Sequence, residues 1–508
     1  MRSNFIIKNS TWGIVSQICN IVFGFIGRTV FINILGGDYL GISGLFTNIL
    51  NILSLSELGF STAVAYNLYK PLSSGDERKI SAIMNFYKNV YRIVALTVLI
   101  LGLGVVPFLE FLINESPFDI NFLRFVYFLY LLKTVTSYLF SYNYTIATAD
   151  QHNYVLVNID SVSRIVLTVL NVVALILTHN YIFYLLIDIV CSLLINAVKS
   201  FIVKKRYPIL RKKYVLEKEE KDKIVRDVKN IFMGKVSTVI VNSTDNIIIS
   251  IFINTLSVGI YSNYNMLIGY VNGFIAQLTS STQASLGNIF ATETKEYGII
   301  SIRRMMFIIF IPVSICATCL FCCLNPFIEI WIGNQYVKSQ IFVGIIVLNF
   351  FLMTIRTPLW QGVSVSGKFE QDKRIAIIGA ISNLIISLAL VQIFDISGVI
   401  LGTVLSQCIQ LVLKAKLLFD DYLESSSIMY FKLLLKYLLI VIIEVIVTYC
   451  ISNFIIGNES IVKLFVSCLI NVGISFIIIF VIFKNSDELQ YAKGISKSIL
   501  KKVGVLHE

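Results

Sequence analysis

The chain has 508 residues, 56% hydrophobic and 14% charged, with a mean hydropathy of +0.80 and a formal net charge of +12. These values exclude an ordinary soluble globular domain and place the chain in a bilayer. The positive charge then concerns membrane topology and not nucleic acid, and the histidines at His152, His179 and His507 are too scattered to suggest a metal site.

A spanning helix needs about 20 largely apolar residues. In chain order the apolar runs predict about fourteen spans, over 12–34, 40–65, 90–112, 122–146, 156–178, 181–203, 231–253, 257–289, 305–325, 341–364, 375–394, 397–419, 431–453 and 461–483. The opening MRSNFIIKNSTWG has no small-residue cleavage site and leads into many further spans, so it predicts a retained first helix. The 257–289 run is long enough to include a helical extension outside the membrane. The cluster Cys316, Cys319, Cys322 and Cys323 lies inside a predicted span with no nearby histidine, and Cys316, Cys319 and Cys323 fall on one helical stripe as small packing residues. No Walker loop or dinucleotide fingerprint is present, so no cofactor is expected.

Lys and Arg gather on one side of the predicted spans. With the N-terminus inside, the inner segments carry Arg2, Lys8, Lys70, Arg78, Lys79, Lys295, Arg303, Arg304, Lys368, Lys373, Arg374, Lys414 and Lys416, together with the basic 204–230 linker and the tail from Lys484. The outer loops carry Lys338 and, at a helix edge, Lys463. This asymmetry predicts a multi-pass protein of the cell membrane with both termini cytosolic. The mixed signs of EKEEKDK predict that the linker is a solvated helix with local ion pairs, its basic flanks drawn to anionic headgroups.

KNSTWGIVS at Lys8 to Ser16 is echoed by KNIFMGKVS at Lys229 to Ser237, 221 residues further on. The register continues, since Phe31 to Asn33 recurs as Phe252 to Asn254. After a three-residue shortening, Gly41-Ile42 meets Gly259-Ile260. An even number of spans separates the copies, so both enter the membrane the same way round. That describes a parallel repeat about an axis along the membrane normal.

Several stretches carry a resemblance. They are LGGDYLGISGLFTNILNILSLSELGFSTAVAYNLYKPLSSGDERKI (Leu35 to Ile80), VGIYSNYNMLIGYVNGF (Val258 to Phe274), ASLGN (Ala284 to Asn288), FIEIWIGNQYV (Phe327 to Val337), and SGKFEQDKRIAIIGAISNLIISLAL followed by GVILGT (Gly398 to Thr403). In this order the chain resembles the polysaccharide and oligosaccharide flippases of bacterial surface-polymer synthesis, the Wzx type. Their superfamily also holds lipid II flippases and multidrug and toxin extrusion exporters. The resemblance covers nearly the whole chain and implies an all-α polytopic fold of two six-helix lobes plus two C-terminal helices. The lobes would be 1–203 and 231–419, joined by the 204–230 linker and followed by 420–483 and a cytosolic tail, 484–508. It also implies a transporter, not an enzyme, that moves undecaprenyl-pyrophosphate-linked oligosaccharide repeat units for capsule, exopolysaccharide or O-antigen synthesis. Membrane lipid would surround it, and polymerase and chain-length proteins would be its partners.

Ionisable groups within spans are costly and face a cavity or a partner. Arg28, Lys133 and Arg356 lie deep in spans 1, 4 and 10, and Arg164 lies in the inner half of span 5, near enough to the surface to snorkel. Together they would form a basic ladder for a pyrophosphate, Arg offering bidentate geometry and Lys a mobile point charge. Glu57, Asp188 and Asp245 would neutralise these cations, gate the cavity or carry a coupling ion. Asn265, Asn272, Gln277 and Gln283 in span 8 suit sugar hydroxyls or polar helix packing equally. The repeat places Asp245 one turn before the equivalent of Arg28, so the two are expected to pair across the lobes near the outer side and to part when substrate competes for Arg28.

Spans 2 and 8 lack the central arginines of lipid II flippases, which argues against a peptidoglycan precursor as cargo. A cation-coupled drug exporter of the same fold would have an acidic first-helix site where this chain has Arg28. A membrane glycosyltransferase or polymerase would need outer carboxylates that NESPFD, IGNES and the loop around Glu329 scarcely offer.

Overall fold

All fourteen predicted spans fall on helix. The computed structural model describes residues 2–57, 59–279, 282–455 and 461–502. Leu58 of SELGF, the Gly457 to Ser460 stretch and the end of the tail with His507 lie outside the described residues, as do the side chains of 8–16 and most of those of 229–237.

Helix α1 (Arg2–Leu35) is followed by α2 (Gly37–Leu53), a 3-10 turn at Ser54–Glu57 and α3 (Phe60–Ser74), so the second predicted span is a broken helix. Next come α4 (Glu77–Val105), α5 (Leu109–Leu112), α6 (Ile120–Ser141), α7 (Tyr144–Ala149), α8 (Asn153–Thr178) and α9 (Tyr181–Arg206). The chain continues through α10 (Lys218–Phe252), α11 (Thr255–Thr279), α12 (Thr282–Thr292), α13 (Lys295–Ile332), α14 (Gln340–Ile355) and α15 (Thr357–Val365). It finishes with α16 (Phe369–Ala415), α17 (Ile428–Ile455), α18 (Ile461–Phe483) and α19 (Asp487–Lys502). Some helix starts are capped by short polar side chains. Asp76 accepts from the Lys79 amide at 2.9 Å and Asn180 from that of Ile182 at 2.8 Å, each meeting a donor that the first turn leaves unpaired.

Among the described residues, nine helices are long and apolar enough to cross a membrane. The longest, α16, holds two spans, because Asp395 adopts φ 51° and ψ −135° inside it. The chain doubles back so tightly there that a methyl on Gly398 would lie 2.1 Å from the Leu390 carbonyl oxygen. The break falls between the two spans predicted at 375–394 and 397–419. With α6, α10, α11 and the α2/α3 pair, the helices account for an all-α polytopic protein of about fourteen spans. Large apolar side chains such as Leu177, Ile446 and Ile477 are exposed, the arrangement a lipid solvent requires.

Two compact units divide the chain, Met1–Ser262 and Asn263–Glu508. Their boundary falls within α11 and not in the 204–230 linker, since α10 packs on α2 and α3 in the first unit. There α2 and the start of α11 touch through backbone. A methyl on Gly41 would lie 1.8 Å from the Thr255 carbonyl oxygen, and one on Gly259 would lie 2.3 Å from that of Gly37. Small residues permit this approach, which in a membrane substitutes van der Waals contact for a hydrophobic driving force.

The linker differs from its expectation. Among the described residues its ion pairs are not local but run to α4, Lys79 with Glu220 and Lys212 with Glu77. Ser81 and Asn85 of α4 donate to the Lys212 carbonyl at 2.6 and 3.0 Å. The extended 212–217 segment offers free backbone acceptors that α4 satisfies, and the solvated helix is the first part of α10 itself.

In the second unit α13 packs against α14, α17 and α18. A buried polar stripe joins it to the C-terminal pair. Thr318 meets Ser475 at 3.1 Å, Cys322 meets Thr448 at 3.5 Å and Cys323 meets Cys468 at 3.4 Å, while Ser452 donates to Asn471 at 3.0 Å. Cys323 is thus a packing residue, as its stripe predicts, and Cys322, off that stripe, is buried beside it.

Candidate functional site

Helical spacing builds the cluster of the first unit. On α9, Tyr181, Tyr184 and Asp188 recur at three and four residues and share a face. On α6, Tyr130 and Lys133 do the same, and on α1 so do Arg28 and Phe31. The three faces meet. Lys133 forms an ion pair with Asp188, with side chains 36% and 16% exposed. Arg28 lies close enough to Tyr130 and Tyr184 to act electrostatically on both hydroxyls, and so does Asp188.

An aromatic cradle surrounds these charges. Tyr130 donates to the Ser43 hydroxyl at 2.7 Å and lies 3.2 Å from the Tyr181 hydroxyl. Phe31 packs edge-on against Tyr184 at 5.2 Å, and Tyr39 lies 4.7 Å from Tyr181 between ring centroids. The result is two cations and one carboxylate in a wall of rings and hydroxyls within membrane-spanning helices. Such a surface offers charge-assisted hydrogen bonds to an anion and flat faces to a sugar ring.

The other acidic candidates are held by tyrosines. Glu57, on the turn that breaks the second span, accepts from the Tyr91 hydroxyl at 2.6 Å. Tyr91 accepts from Tyr87 at 2.9 Å, and Thr145 donates to Tyr87 at 3.4 Å. Asp245 is buried at 6% exposure and accepts from Tyr261 at 3.4 Å. Arg164 is exposed on α8. On the same helix Asp160 pairs with Lys199 of α9, whose ammonium lies 5.0 Å from the Tyr144 ring centroid.

The second unit has its own basic aromatic cluster. Arg356 caps the N-terminus of α15 where α14 ends, at a break that Pro358 favours. Its guanidinium lies 4.2 Å from the Trp360 ring centroid, and the Lys414 ammonium lies 4.5 Å from the same centroid. Lys414 pairs with Asp372 at 2.5 Å, while Nη1 of Arg356 is sealed from solvent with no hydrogen-bond partner among the described residues. Two cations over one indole, with an unspent donor and a helix N-terminus, form a receptive place for an anion.

The span 8 amides divide. Asn272 accepts from Thr354 at 3.0 Å and Gln283 donates to Ser364 at 3.2 Å, whereas Asn265 and Gln277 are exposed. Sequence reasoning missed Lys199, the pairing of Lys414 with Asp372, and Glu444. The last lies in the middle of α17, with neither carboxylate oxygen hydrogen-bonded among the described residues. A charge inside an apolar run was the signal for Lys199, Lys414 and Glu444, whereas Asp372 lies in the charged EQDKR stretch and gave none.

A family model described as "Polysaccharide biosynthesis protein" matches residues 6–283. Comparison with curated proteins gives no match. Among solved structures the chain is similar to the lipid II flippase MurJ in an inward closed conformation, with a TM-score of 0.68 at 14% identity, over 95% of this chain and 99% of that one. It is also similar to an inward-facing multidrug resistance MATE family transporter of the MOP superfamily, with a TM-score of 0.56 at 13% identity over 80% and 96% of the two chains. The MATE multidrug transporter DinF-BH gives 0.57 at 15% identity over 83% and 96%. At these identities the likeness is one of fold.

Proposed function

The chain belongs to the polysaccharide biosynthesis protein family, and we propose on that footing that it flips undecaprenyl-pyrophosphate-linked oligosaccharide repeat units across the cytoplasmic membrane. Family and fold are those of multi-pass flippases and transporters. The observation that carries the narrower reading is the union of Arg28 and the Lys133–Asp188 pair with an aromatic cradle inside the spans of the first unit. Arg28 and Lys133 hold the pyrophosphate, Tyr130, Tyr181 and Tyr184 face the sugars, and the prenyl chain stays in lipid.

Export proceeds by alternating access between the two lobes, 1–203 and 231–419, with both termini cytosolic. Arg356 and Lys414, set over Trp360, give the second lobe its own hold on anionic groups. Arg28 and Asp245 form the outer gate, which substrate phosphate opens by competing for Arg28. The product feeds the polymerase and chain-length proteins of a surface polymer.

Deletion of the gene tests this directly. Lipid-linked repeat units accumulate on the cytosolic face, and restoring the intact chain clears them while a chain with Arg28→Gln and Lys133→Gln does not. Normal delivery of these intermediates to the outer face in the deletion strain would overturn the reading.

A further inference from the structure

A cavity of about 470 Å³ opens where α13, α17, α18 and α19 converge at the N-terminal end of α17. Arg303, Lys432, Lys436 and Tyr430 line it beside Met306 and Phe483. Lys432 and Lys436, four residues apart, share one face of α17 and are both exposed. Glu488 engages Arg303 in an ion pair, so that cation is spent. Lys432 makes no ion pair among the described residues, and Lys436 lies 4.5 Å from the Phe483 ring centroid. Asp487 leaves the lining with a small positive excess.

The surface beside the cavity is lipid-facing. Leu435, Leu439 and Ile443 of α17 and Ile477 and Val481 of α18 are all about half exposed or more. An apolar flank running into two exposed lysines with a net positive lining is the pattern of a site for a negatively charged headgroup with its acyl chains in the membrane.

We propose that this cavity is a binding site for an anionic phospholipid of the leaflet at that end of α17, with Lys432 and Lys436 on the phosphodiester and the acyl chains along α17 and α18. The two lysines are not residues of the cargo clusters, and the site does not depend on the identity of the cargo.

The full-length protein, delipidated in detergent, is titrated with phosphatidylglycerol, phosphatidylcholine and inorganic phosphate and followed by native mass spectrometry. One phosphatidylglycerol is expected to bind ahead of phosphatidylcholine, and affinity should fall about fivefold for each of Lys432→Gln and Lys436→Gln. The double Lys→Arg variant should bind as the unaltered chain does and should show that the fold is intact. Equal binding of both lipids, or undiminished phosphatidylglycerol binding by the double Gln variant, would overturn the site. Displacement of phosphatidylglycerol by millimolar inorganic phosphate would overturn its assignment to lipid.

Discussion

Gly41 and Gly259 face each other backbone to backbone, each occupying the space a methyl group on the other helix would need. Gly41 abuts the carbonyl of Thr255 and Gly259 abuts that of Gly37, and the register that aligns Gly41 with Gly259 also aligns Gly37 with Thr255. The repeat read from the sequence therefore meets itself here, with reciprocal contacts. Neither glycine can be enlarged unless the helices part. Gly41→Ala and Gly259→Ala should each cost roughly 1–3 kcal/mol by overpacking, read as a lower melting temperature in detergent. Gly104→Ala and Gly269→Ala, with nothing within 4 Å of the added methyl, should not.

The Lys133–Asp188 pair sits between the limits of exposed and buried ion pairs. Asp188→Asn leaves Lys133 without its ion-pair partner, and should destabilise the protein by roughly 1–3 kcal/mol. Lys133→Gln removes a cation and should leave stability nearly unchanged while reducing flipping. Thermal melting and reconstituted flipping measured on the same preparations separate the two effects.

Trp360 holds two cations by its ring face. Trp360→Leu removes about 0.5–2 kcal/mol of attraction and leaves Arg356 and Lys414 to repel each other, so both stability and transport should fall. Trp360→Phe keeps a weaker quadrupole and should fall in between. A variant series ranked otherwise in melting temperature would mean that the indole acts only as packing volume.

Arg28 and Asp245 are tested by exchange. Arg28→Asp and Asp245→Arg should each stop transport, and the double exchange should restore a measurable part of it. If the double variant exports no better than either single one, the two residues do not form the gate.

The linker contact has a defined pH response. The Glu220 carboxylate holds Lys79 above the usual lysine value of 10.5. A group whose folded value is raised stabilises at pH below its unfolded value, and that stability is lost as pH rises through the folded value. Docking of the linker on α4 should therefore be constant from neutral pH to about 10 and weaken only above the usual lysine range. Protease cleavage within 204–217 should rise there, and in Lys79→Gln it should already be high at neutral pH.

The sequence was an accurate guide to depth and a poor one to azimuth. Hydropathy located every span and even the break before Gly398, because length and polarity vary along the chain. It placed Arg28, Lys133, Arg164 and Arg356 on one ladder, since all four lie within apolar runs. In the structure Arg28 and Lys133 share a cluster, Arg356 belongs to another unit and Arg164 is exposed on α8. Which way a side chain faces depends on the packing of helices far apart in sequence, and only Asp188 at seven residues from Tyr181 hinted at it. The linker contact was illegible for a similar reason: an extended segment has no period, and its partners lie more than a hundred residues upstream.

Helix α10 runs unbroken from the linker into the membrane for 35 residues, about 52 Å at 1.5 Å per residue. A rod of that length magnifies rotation. Tilting its membrane half by about 10° would swing the far end by roughly 9 Å, more than the width of the contact that ties Glu220 to Lys79. A fluorescent pair placed on the first turn of α10 and on the N-terminal end of α4 would thus report motion within the bilayer from a water-accessible position, without a probe in the transport path.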